Sequence, residues 1–302
     1  MNTPLSIVIT TYNREKELRR CIKSIIQQKY DHYEIIVVDD HSSTLYQDAI
    51  KTDFPDIRYF YQEENSGPGG ARNRGIQEAK YNYVVIIDDD DIFVNNALKK
   101  INNFLVNIKE NDFPVYNFLV SNVKIQDNQY YSIITFKEFL GGKINGDLTP
   151  VINKKLFYKE ANYRYPESKI GAESLLWYQI AIDYGFPIIN DVVVNLMSDA
   201  SQRLTDVDAQ IKNATLFADY QRKLIHNFEE EIIKVGNLGY LISRYRGVII
   251  YSLLEGDRKS AFKYLIKSTK YSKKQILFMP LFILPKFTIK KLLHKYRARN
   301  KL

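Results

Sequence analysis

The chain of 302 residues has a single cysteine, Cys21, so an intrachain disulfide is excluded. It also has no apolar run as long as the roughly 18 residues that a membrane-spanning helix needs. Its first residues, MNTPLSIVITTYNRE, have neither the basic region nor the long apolar stretch of a secretory signal peptide. Proline and glycine are not enriched and aromatic residues make up 13% of the chain, which excludes a disordered protein. We therefore expect a folded protein of a reducing cytoplasm.

Acidic residues are almost missing from the last part of the chain. Asp257 is the one acidic residue from position 257 onward, whereas 14 residues of this segment are Lys or Arg. Because the whole chain carries a net charge of +8, the remainder is mildly acidic. A basic segment on an acidic body indicates an anionic surface as partner. The apolar run at 276–285 is too short to cross a bilayer, and Pro280 and Pro285 are expected to interrupt a helix there.

We interpret the basic segment as an amphipathic tail that lies on an anionic membrane surface. The side chains predicted to enter the headgroup region are Phe278, Phe282, Leu284, Phe287, Leu292 and Leu293. Two other interpretations remain open, a helical subdomain packed on the body and the interface of a homodimer. No nucleic acid partner is expected, because the tail has no recognised binding motif and the body is acidic.

Short apolar segments alternate with helical or Gly-rich segments over the first 100 residues. The apolar segments are LSIVIT, YEIIVVDD, IRYFYQ and YVVIIDDDD. This alternation predicts a parallel sheet with βαβ crossovers. Ligands of such sheets bind beyond the carboxyl ends of the strands, where Thr10–Tyr12, Asp39–Asp40 and Asp88–Asp91 lie. Further strands are predicted in VYNFLVSNVKI, QYYSIITF and PIINDVVVNLM, and helices from about residue 206 onward.

Four adjacent aspartates end the fourth of these strands. Carboxylates suit hard cations such as Mg²⁺ or Mn²⁺, which are typically held by one or two of them plus phosphates. If the segment is extended, alternate side chains share a face, which predicts that Asp88 and Asp90 point the same way. The alternative is a solvated acidic turn in which Asp91 caps the next helix. The second acidic strand end, at Asp40, favours the cation site.

The Gly-rich segment ENSGPGGARNRGIQEAK matches neither the P-loop nor the dinucleotide fingerprint, since Arg72 stands where the last glycine would be. It predicts a flexible turn followed by Arg72 and Arg74 at a helix start, an arrangement that suits a diphosphate. The alternative is a connection with surface arginines.

Taken together, SIVITTYNRE, EIIVVDDHS, NSGPGGARNRGI and YVVIIDDDDIF resemble the motifs of the GT-A glycosyltransferases of family 2. The resemblance is strong over the first 100 residues and weaker to about residue 205. It implies a Rossmann-like, mostly parallel sheet flanked by helices, a nucleotide-sugar donor, Mn²⁺ or Mg²⁺, and inversion at the anomeric carbon. The expected domains are a catalytic domain at 1–210, with a donor half at 1–100 and an acceptor half at 101–210, and a basic, helical region at 211–302.

The resemblance also assigns roles to individual residues. The donor-binding residues it implies are Thr10, Tyr12, Asp39, Asp40, Arg72, Asp88 and Asp89. Among these, Asp40 would hydrogen-bond a uracil-type base, and Thr10 and Tyr12 would lie along the nucleoside. Asp90 would be the direct metal ligand, and Asp88 a metal ligand or a contact to the sugar.

A general base is needed to deprotonate the acceptor hydroxyl in an inverting transfer. The family carries Glu-Asp before an apolar helix, where this chain reads GAESLLWYQIA, so Glu173 stands at the position of the base. The alternative role for Glu173 is to stabilise a helix N-terminus by its charge. The weaker rivals for the base are Asp147, Asp183 and Asp191, and Trp177 is expected in the core or in the wall of an acceptor pocket.

The sequence thus predicts an enzyme at the inner face of the plasma membrane that moves one sugar from a UDP-linked donor to a growing lipid-linked surface glycan. A nucleotidyltransferase acting on sugar phosphates is one alternative, although ITTYNRE stands where its Gly- and Lys-containing loop would be. A non-catalytic glycan- or membrane-binding protein is another, favoured by the departure at Ala172 and Glu173 and opposed by the pair Asp88 and Asp90.

Overall fold

The computed structural model describes residues 2–108, 113–123, 125, 129–144, 146–197 and 207–299, with side chains up to 295. The chain forms two compact units, Met1–Ala200 and Ser201–Leu302. The first is a sheet flanked by helices, and the described part of the second is helical, so the predicted fold class is confirmed. The predicted domain boundary at residue 210 stays a prediction.

The described residues of the first unit contain one sheet of nine strands. Their bounds are β1 (Leu5–Thr11), β2 (Tyr33–Asp39), β3 (Arg58–Tyr61), β4 (Tyr83–Asp88), β5 (Ile92–Phe93), β6 (Val115–Val120), β7 (Tyr131–Ile134), β8 (Leu148–Asn153) and β9 (Phe186–Asn195). The spatial order is β3-β2-β1-β4-β8-β6-β9-β5, and β7 pairs with β9. Strands β1 to β4 are mutually parallel, as predicted, because helices connect them.

The helices of this unit cover the sheet with apolar faces. They are α1 (Glu15–Ile26), α2 (Gln47–Asp53), α3 (Gly67–Glu78), α4 (Ala97–Asn107), α5 (Phe136–Leu140), a π-helix (Lys155–Glu160) and α6 (Ser174–Asp183). In α1, Leu18, Ile22 and Ile25 are fully buried at helical spacing, which explains why this segment is a helix packed on the sheet.

Strand β8 was not predicted, because Pro150 lies inside it and proline is typical of breaks in a strand. The ladder between β4 and β8 runs from Tyr83 only to Val85, which pairs with Val151. Since Pro150 has no N–H group, it cannot continue that ladder. Beyond this point β4 and β8 separate, and the separation opens a space between them at the carboxyl end of β4.

The Gly-rich segment was expected to be a flexible turn, and this is wrong. Its glycines instead form the beginning of α3. Its glycines allow another backbone segment to approach closely: a Cβ on Gly67 would lie 2.1 Å from the carbonyl oxygen of Ser168, and one on Gly69 would lie 2.0 Å from that of Pro166. The Gly67 φ of +79° also favours glycine. The glycines therefore hold the segment at 166–168 against the N-terminus of α3.

The described part of the second unit is built of helices, as predicted. They are α7 (Val207–Lys212), α8 (Ala214–Lys234), α9 (Leu238–Glu255), α10 (Arg258–Thr269), a 3₁₀-helix (Lys273–Phe282) and α11 (Lys286–Arg299). The 3₁₀-helix contains Pro280, and α11 begins directly after Pro285. As expected, neither proline lies inside an α-helix. None of the helices in the described ranges is long and apolar enough to span a membrane.

The apolar side chains of the basic tail divide into two groups. Leu293 is 7% exposed and lies in the core of the second unit, so its predicted insertion among headgroups is wrong. Phe278, Phe282 and Leu284 are partly buried against the same core. The exposed group comprises Ile276, Leu277, Met279, Ile283, Phe287 and Leu292.

Candidate active site

A cavity of about 410 Å³ lies in the first unit where β4 and β8 separate. Its walls include Ile86 to Asp88 from β4 and Leu148 to Pro150 from β8. It therefore opens at the carboxyl ends of the parallel strands, where ligands of open α/β sheets bind. Asp88 and Asp91, Arg72 and Glu173 also line it, which brings together residues that are far apart in the sequence.

Arg72 joins the two acidic sides of this cavity. Its guanidinium donates to Glu173 Oε1 at 2.6 Å and to Asp88 Oδ1 at 2.8 Å. The Arg72 side chain is 12% exposed, and its charge lies 5.4 Å from the centre of the Tyr165 ring. Burial alone would lower the pKa of Arg72, but the carboxylates of Asp88 and Glu173 outweigh burial and raise it. Arg72 is therefore charged, and it holds Glu173 beside the end of β4.

The backbone at the four aspartates is not extended. Strand β4 ends at Asp88, a turn follows, and the N–H of Asp91 donates to the carbonyl of Asp88 at 3.2 Å. The turn sends Asp88 and Asp91 into the cavity wall, whereas Asp90 forms an ion pair with Arg14 at 3.1 Å. The expectation that Asp88 and Asp90 alternate along an extended segment is thus wrong. Asp91 is not a helix cap either, because β5 follows it directly.

Asp89 turns away from the cavity into the protein. It is 2% exposed, and its carboxylate accepts hydrogen bonds from Thr11 Oγ1 at 2.7 Å and from Arg14 Nη1 at 3.0 Å. Burial raises the pKa of Asp89, although Arg14 and Thr11 oppose this. These contacts tie the acidic turn to the end of β1. Its predicted part in donor binding stays a prediction.

The two acids that end β2 are both buried and hydrogen-bonded. Asp39 accepts from Tyr59 Oη at 2.6 Å and from the N–H of Ser42 at 2.8 Å. Asp40 Oδ1 accepts from the N–H of Ser66 at 2.8 Å and from Gln62 at 2.6 Å. The Asp39 bonds connect β2 with β3 and with the loop that follows β2, and the Asp40 bonds connect β2 with residues shortly before α3. Both carboxylates are thus held rigidly beside the rim of the sheet.

Thr10 and Tyr12 lie on β1 and just beyond it. Thr10 is buried and stands opposite Asp88 in the register of β1 and β4. Tyr12 follows the strand and is 46% exposed. Thr10 therefore reaches the rim beside Asp88, whereas the Tyr12 ring is open to a ligand.

Glu173 directly precedes α6, and its backbone already has helical dihedral angles. The two residues before it, Gly171 and Ala172, have φ values of +87° and +76°. A Cβ at Gly171 would lie 2.7 Å from Glu173 Oε2, so glycine is required for two reasons. Ala172 has a conformation that costs a non-glycine residue energy, and strain of this kind is common near functional groups.

Of the three other carboxylates considered for the general base, only one lines the cavity. Asp183 accepts from Tyr163 Oη at 2.5 Å, and Asp191 pairs with Lys100 at 2.7 Å; neither lines the cavity as described. Asp147 does line the cavity. Glu173 and Asp147 are thus the two candidates that reach the same space, and Glu173 has the ion pair that fixes its position.

The carboxylates of Asp88 and Asp91 are the candidates for holding a divalent cation in the cavity. Burial, followed by the charge of Asp88, raises the pKa of Asp91 to about 7. Within the described ranges, no group of three or more His, Cys, Asp or Glu side chains is arranged to hold a metal. The residues present therefore fit a cation whose remaining ligands come from a diphosphate. They do not fit a cation held by protein ligands alone.

Four aromatic residues form one wall of the cavity, which we call the aromatic wall: Phe139, Tyr165, Trp177 and Phe186. Trp177 had been expected either in the core or in an acceptor pocket, and the structure places it in this cavity. The other three were not predicted, since they come from separate elements. The signal available in the sequence was the spacing of Glu173 and Trp177, four residues apart at the start of an apolar helix.

The fold and the cavity together indicate an α/β enzyme of the GT-A type, with acidic residues at the ends of β2 and β4. The family model described as Glycosyl transferase family 2 matches residues 6–176. The chain therefore belongs to glycosyl transferase family 2, and it is a glycosyltransferase. This excludes the nucleotidyltransferase and the non-catalytic binding protein considered above.

The chain is similar to two named glycosyltransferases, to one along most of its length and to the other over less than half of it. It is 27% identical over 307 residues to the GalNAc(5)-diNAcBac-PP-undecaprenol β-1,3-glucosyltransferase of Campylobacter jejuni, which covers 95% of this chain and 96% of that protein. It is 33% identical to the glycosyltransferase GlyG of Streptococcus pneumoniae, over 46% of each chain.

Solved structures share the fold at low sequence identity. TarS residues 1–349 of S. aureus, in complex with UDP-GlcNAc, superimposes with a TM-score of 0.57 at 16% identity and covers 90% of this chain and 93% of that one. The mannosyltransferase PcManGT of Pyrobaculum calidifontis, with GDP-Man and Mn²⁺, has a TM-score of 0.54 at 16% identity and covers 97% and 87%.

Proposed function

We propose that this glycosyltransferase moves one sugar from a UDP-linked donor to a growing lipid-linked glycan, with inversion at the anomeric carbon. The observation that carries the proposal is the cavity in which Asp88, Arg72 and Glu173 meet at the carboxyl ends of the strands. It provides an acidic strand end for the donor and a separate carboxylate for the acceptor.

A uridine nucleotide is proposed because Asp40 is a buried carboxylate at the rim, and a carboxylate accepts from the N3–H of uracil. TarS, which shares the fold, is bound to UDP-GlcNAc in its structure. Thr10 stands opposite Asp88 in the register of β1 and β4, and Tyr12 directly follows β1. They are proposed to line the nucleoside and ribose.

Glu173 is the proposed general base. In one displacement it takes the proton of an acceptor hydroxyl, the hydroxyl oxygen bonds to the anomeric carbon, and the bond from that carbon to the diphosphate breaks. The nucleoside diphosphate leaves with the electrons of that bond. Arg72, which donates a hydrogen bond to Glu173, is proposed to orient it and to meet the negative charge of the departing group.

A divalent cation, Mn²⁺ or Mg²⁺, would be held by Asp88 together with Asp90 or Asp91 and would supply positive charge next to the diphosphate. Asp90 is the ligand expected from the resemblance, and Asp91 is the carboxylate that lines the cavity. The two are separable by mutation: loss of metal-dependent UDP binding in Asp90→Ala, but not in Asp91→Ala, would select Asp90.

A lipid-linked acceptor is proposed because the relative from Campylobacter jejuni is named for a glycan on PP-undecaprenol and matches 95% of this chain. Such an acceptor lies at a membrane, and the basic tail is a segment that can bind an anionic membrane surface. Leu277 and Ile283 are 75% and 84% exposed, among lysines that include Lys273 and Lys286. We propose that the enzyme lies peripherally on the inner face of the plasma membrane through these side chains.

Vesicle binding tests the membrane contact without removing the tail, since Leu293 belongs to the core of the second unit. The variant with Leu277→Ser and Ile283→Ser is expected to co-sediment less with vesicles containing anionic lipid than the wild type does. Leu45→Ser, at an apolar residue of the first unit that is 71% exposed, serves as the matched control. Equal binding of both variants would contradict this role of the tail.

Nucleotide release tests the donor. With Mn²⁺ and a panel of UDP-, GDP- and dTDP-sugars, the enzyme is expected to release UDP from at least one UDP-sugar, slowly in water and faster with an acceptor. Release of GDP alone would contradict the uridine assignment, and no release from any donor would contradict the proposed transfer.

A further inference from the structure

Trp177 is the only tryptophan in the chain, and it is the centre of the aromatic wall. Its ring lies edge-to-face with those of Tyr165 and Phe186, at centroid distances of 5.5 and 5.9 Å. Phe139 extends the wall by stacking on Phe186 at 4.7 Å. Trp177 and Phe139 are only half-buried, whereas the other two are buried. The wall therefore presents aromatic surface to the cavity.

The position of Trp177 relative to Glu173 follows from helix geometry. The N–H of Trp177 donates to the carbonyl of Glu173 at 3.0 Å, which is the helical bond between residues four apart. Such residues lie on the same face, separated by about one turn of 5.4 Å. The proposed base and the indole ring are thus neighbours on the same side of the cavity.

Asp147 is an exposed polar side chain in the same space. The carboxylate of Asp147 forms no hydrogen bond or ion pair with a described residue. The Tyr165 hydroxyl is buried, on a residue that is 2% exposed, and has no hydrogen-bond partner in the described part of the chain. Because that hydroxyl is closed off from the cavity, the polar group available to a ligand is the exposed carboxylate of Asp147.

The chemistry of this wall selects among acceptors. Arg72 is the only Lys or Arg among the described residues that line the cavity, and it already binds two carboxylates. Arg72 and the proposed cation are assigned to the donor diphosphate, so a phosphate on the acceptor would meet the carboxylates of Asp147 and Glu173 without a cation of its own. A pyranose ring instead offers an apolar C–H face to an aromatic ring and hydroxyl donors to carboxylates at its edge, a combination typical of small-molecule sites.

We propose that the aromatic wall and Asp147 form the acceptor subsite, and that the acceptor's terminal residue is a pyranose that stacks on Trp177 and places one hydroxyl at Glu173. Asp147 accepts a hydrogen bond from a second hydroxyl of that ring. Asp147 and Trp177 are therefore specificity-determining residues. This inference rests on the proposed function, because it names the substrate class of the same cavity.

The single tryptophan makes the test direct, since its emission reports on this subsite alone. The wild-type enzyme with UDP is titrated with the methyl pyranosides of glucose, galactose, mannose and the N-acetylhexosamines, and separately with glycerol phosphate. A saturable change in emission is expected for at least one pyranoside and not for glycerol phosphate. No saturable change with any pyranoside up to about 100 mM, or a response to glycerol phosphate alone, would overturn the proposal.

Two sets of variants separate this inference from the proposed function. Asp147→Asn is expected to weaken the pyranoside about tenfold, the size of one lost charged hydrogen bond, while UDP affinity stays unchanged. Trp177→Leu is expected to raise the KM for the pyranoside at least about tenfold, and Trp177→Phe much less. Unchanged acceptor KM in Trp177→Leu overturns the subsite. Absence of UDP release in the wild type counts against the proposed function instead.

Discussion

Replacing Arg72 by glutamine removes the cation that joins the two sides of the candidate active site. In the structure its guanidinium is 12% exposed and contacts Glu173 at 2.6 Å and Asp88 at 2.8 Å. The variant Arg72→Gln leaves these two carboxylates without their shared partner. We expect lower stability and a loss of transfer, because Glu173 is no longer held in position.

The magnitude follows from the exposure of the groups involved. Removing one partner of a fully buried ion pair costs about 3–5 kcal/mol. Here the side chains of Asp88 and Glu173 are 47% and 30% exposed, so water solvates them in the variant and reduces the cost. We expect a loss of about 2 kcal/mol, which corresponds to a fall in Tm of roughly 4–8 °C for a unit of this size.

Calorimetric unfolding of Arg72→Gln beside Arg74→Gln measures this effect. Arg74 lies two residues along the same helix and pairs with Glu78 as an exposed i,i+4 pair, worth about 0.5 kcal/mol or less. The transfer rate of both variants is measured on the same samples. If Arg72→Gln unfolds at the wild-type temperature, or no lower than Arg74→Gln, the reasoning about the bridge is refuted.

Three further substitutions test how the site is supported, each by thermal unfolding. Asp89→Ala is expected to destabilise by about 1–3 kcal/mol, because the Thr11 hydroxyl and the Arg14 guanidinium lose their buried acceptor; a neutral result would show that the turn does not depend on it. Gly69→Ala is expected to cost about 1–3 kcal/mol, since its Cβ meets a backbone oxygen at 2.0 Å. Gly239→Ala is the control, with open space at a helical position and an expected gain of up to about 1 kcal/mol. Ala172→Gly is expected to stabilise by up to about 1 kcal/mol, as glycine adopts the φ of +76° without strain; a loss would mean that the alanine methyl group has contacts that matter.

The parallel half of the sheet was predictable because its strands are continuous apolar runs, and the segments between them include residues with the apolar spacing of a helix. Strand β8 was not predictable, because Pro150 interrupts the apolar pattern. The effect of Pro150 depends on β4, whose ladder with β8 ends next to it as the two strands diverge. The register of the ladder is a tertiary property, so no local signal in the sequence contains it. The same divergence makes the cavity, which is why the cavity itself was not predicted.

The acidic strand end was recognised correctly as a candidate site, but its geometry was not. Alternation along a strand predicted that Asp88 and Asp90 act together, whereas the turn sends Asp91 into the cavity and Asp90 towards Arg14. A run of four identical residues carries no information on where a strand stops. Glu173 was found from its place before an apolar helix, and its ion pair with Arg72 depends on a contact between residues about 100 positions apart.

Nucleotide release and transfer by Glu173→Gln, compared with the wild type, test the central claim most directly. The account predicts that the variant binds UDP with unchanged affinity, because the donor contacts are elsewhere, and loses transfer by about 100-fold or more, as expected for removal of a general base. Transfer at the wild-type rate in a variant that folds and binds UDP normally would contradict the assignment of Glu173 and the account of this cavity as the catalytic site.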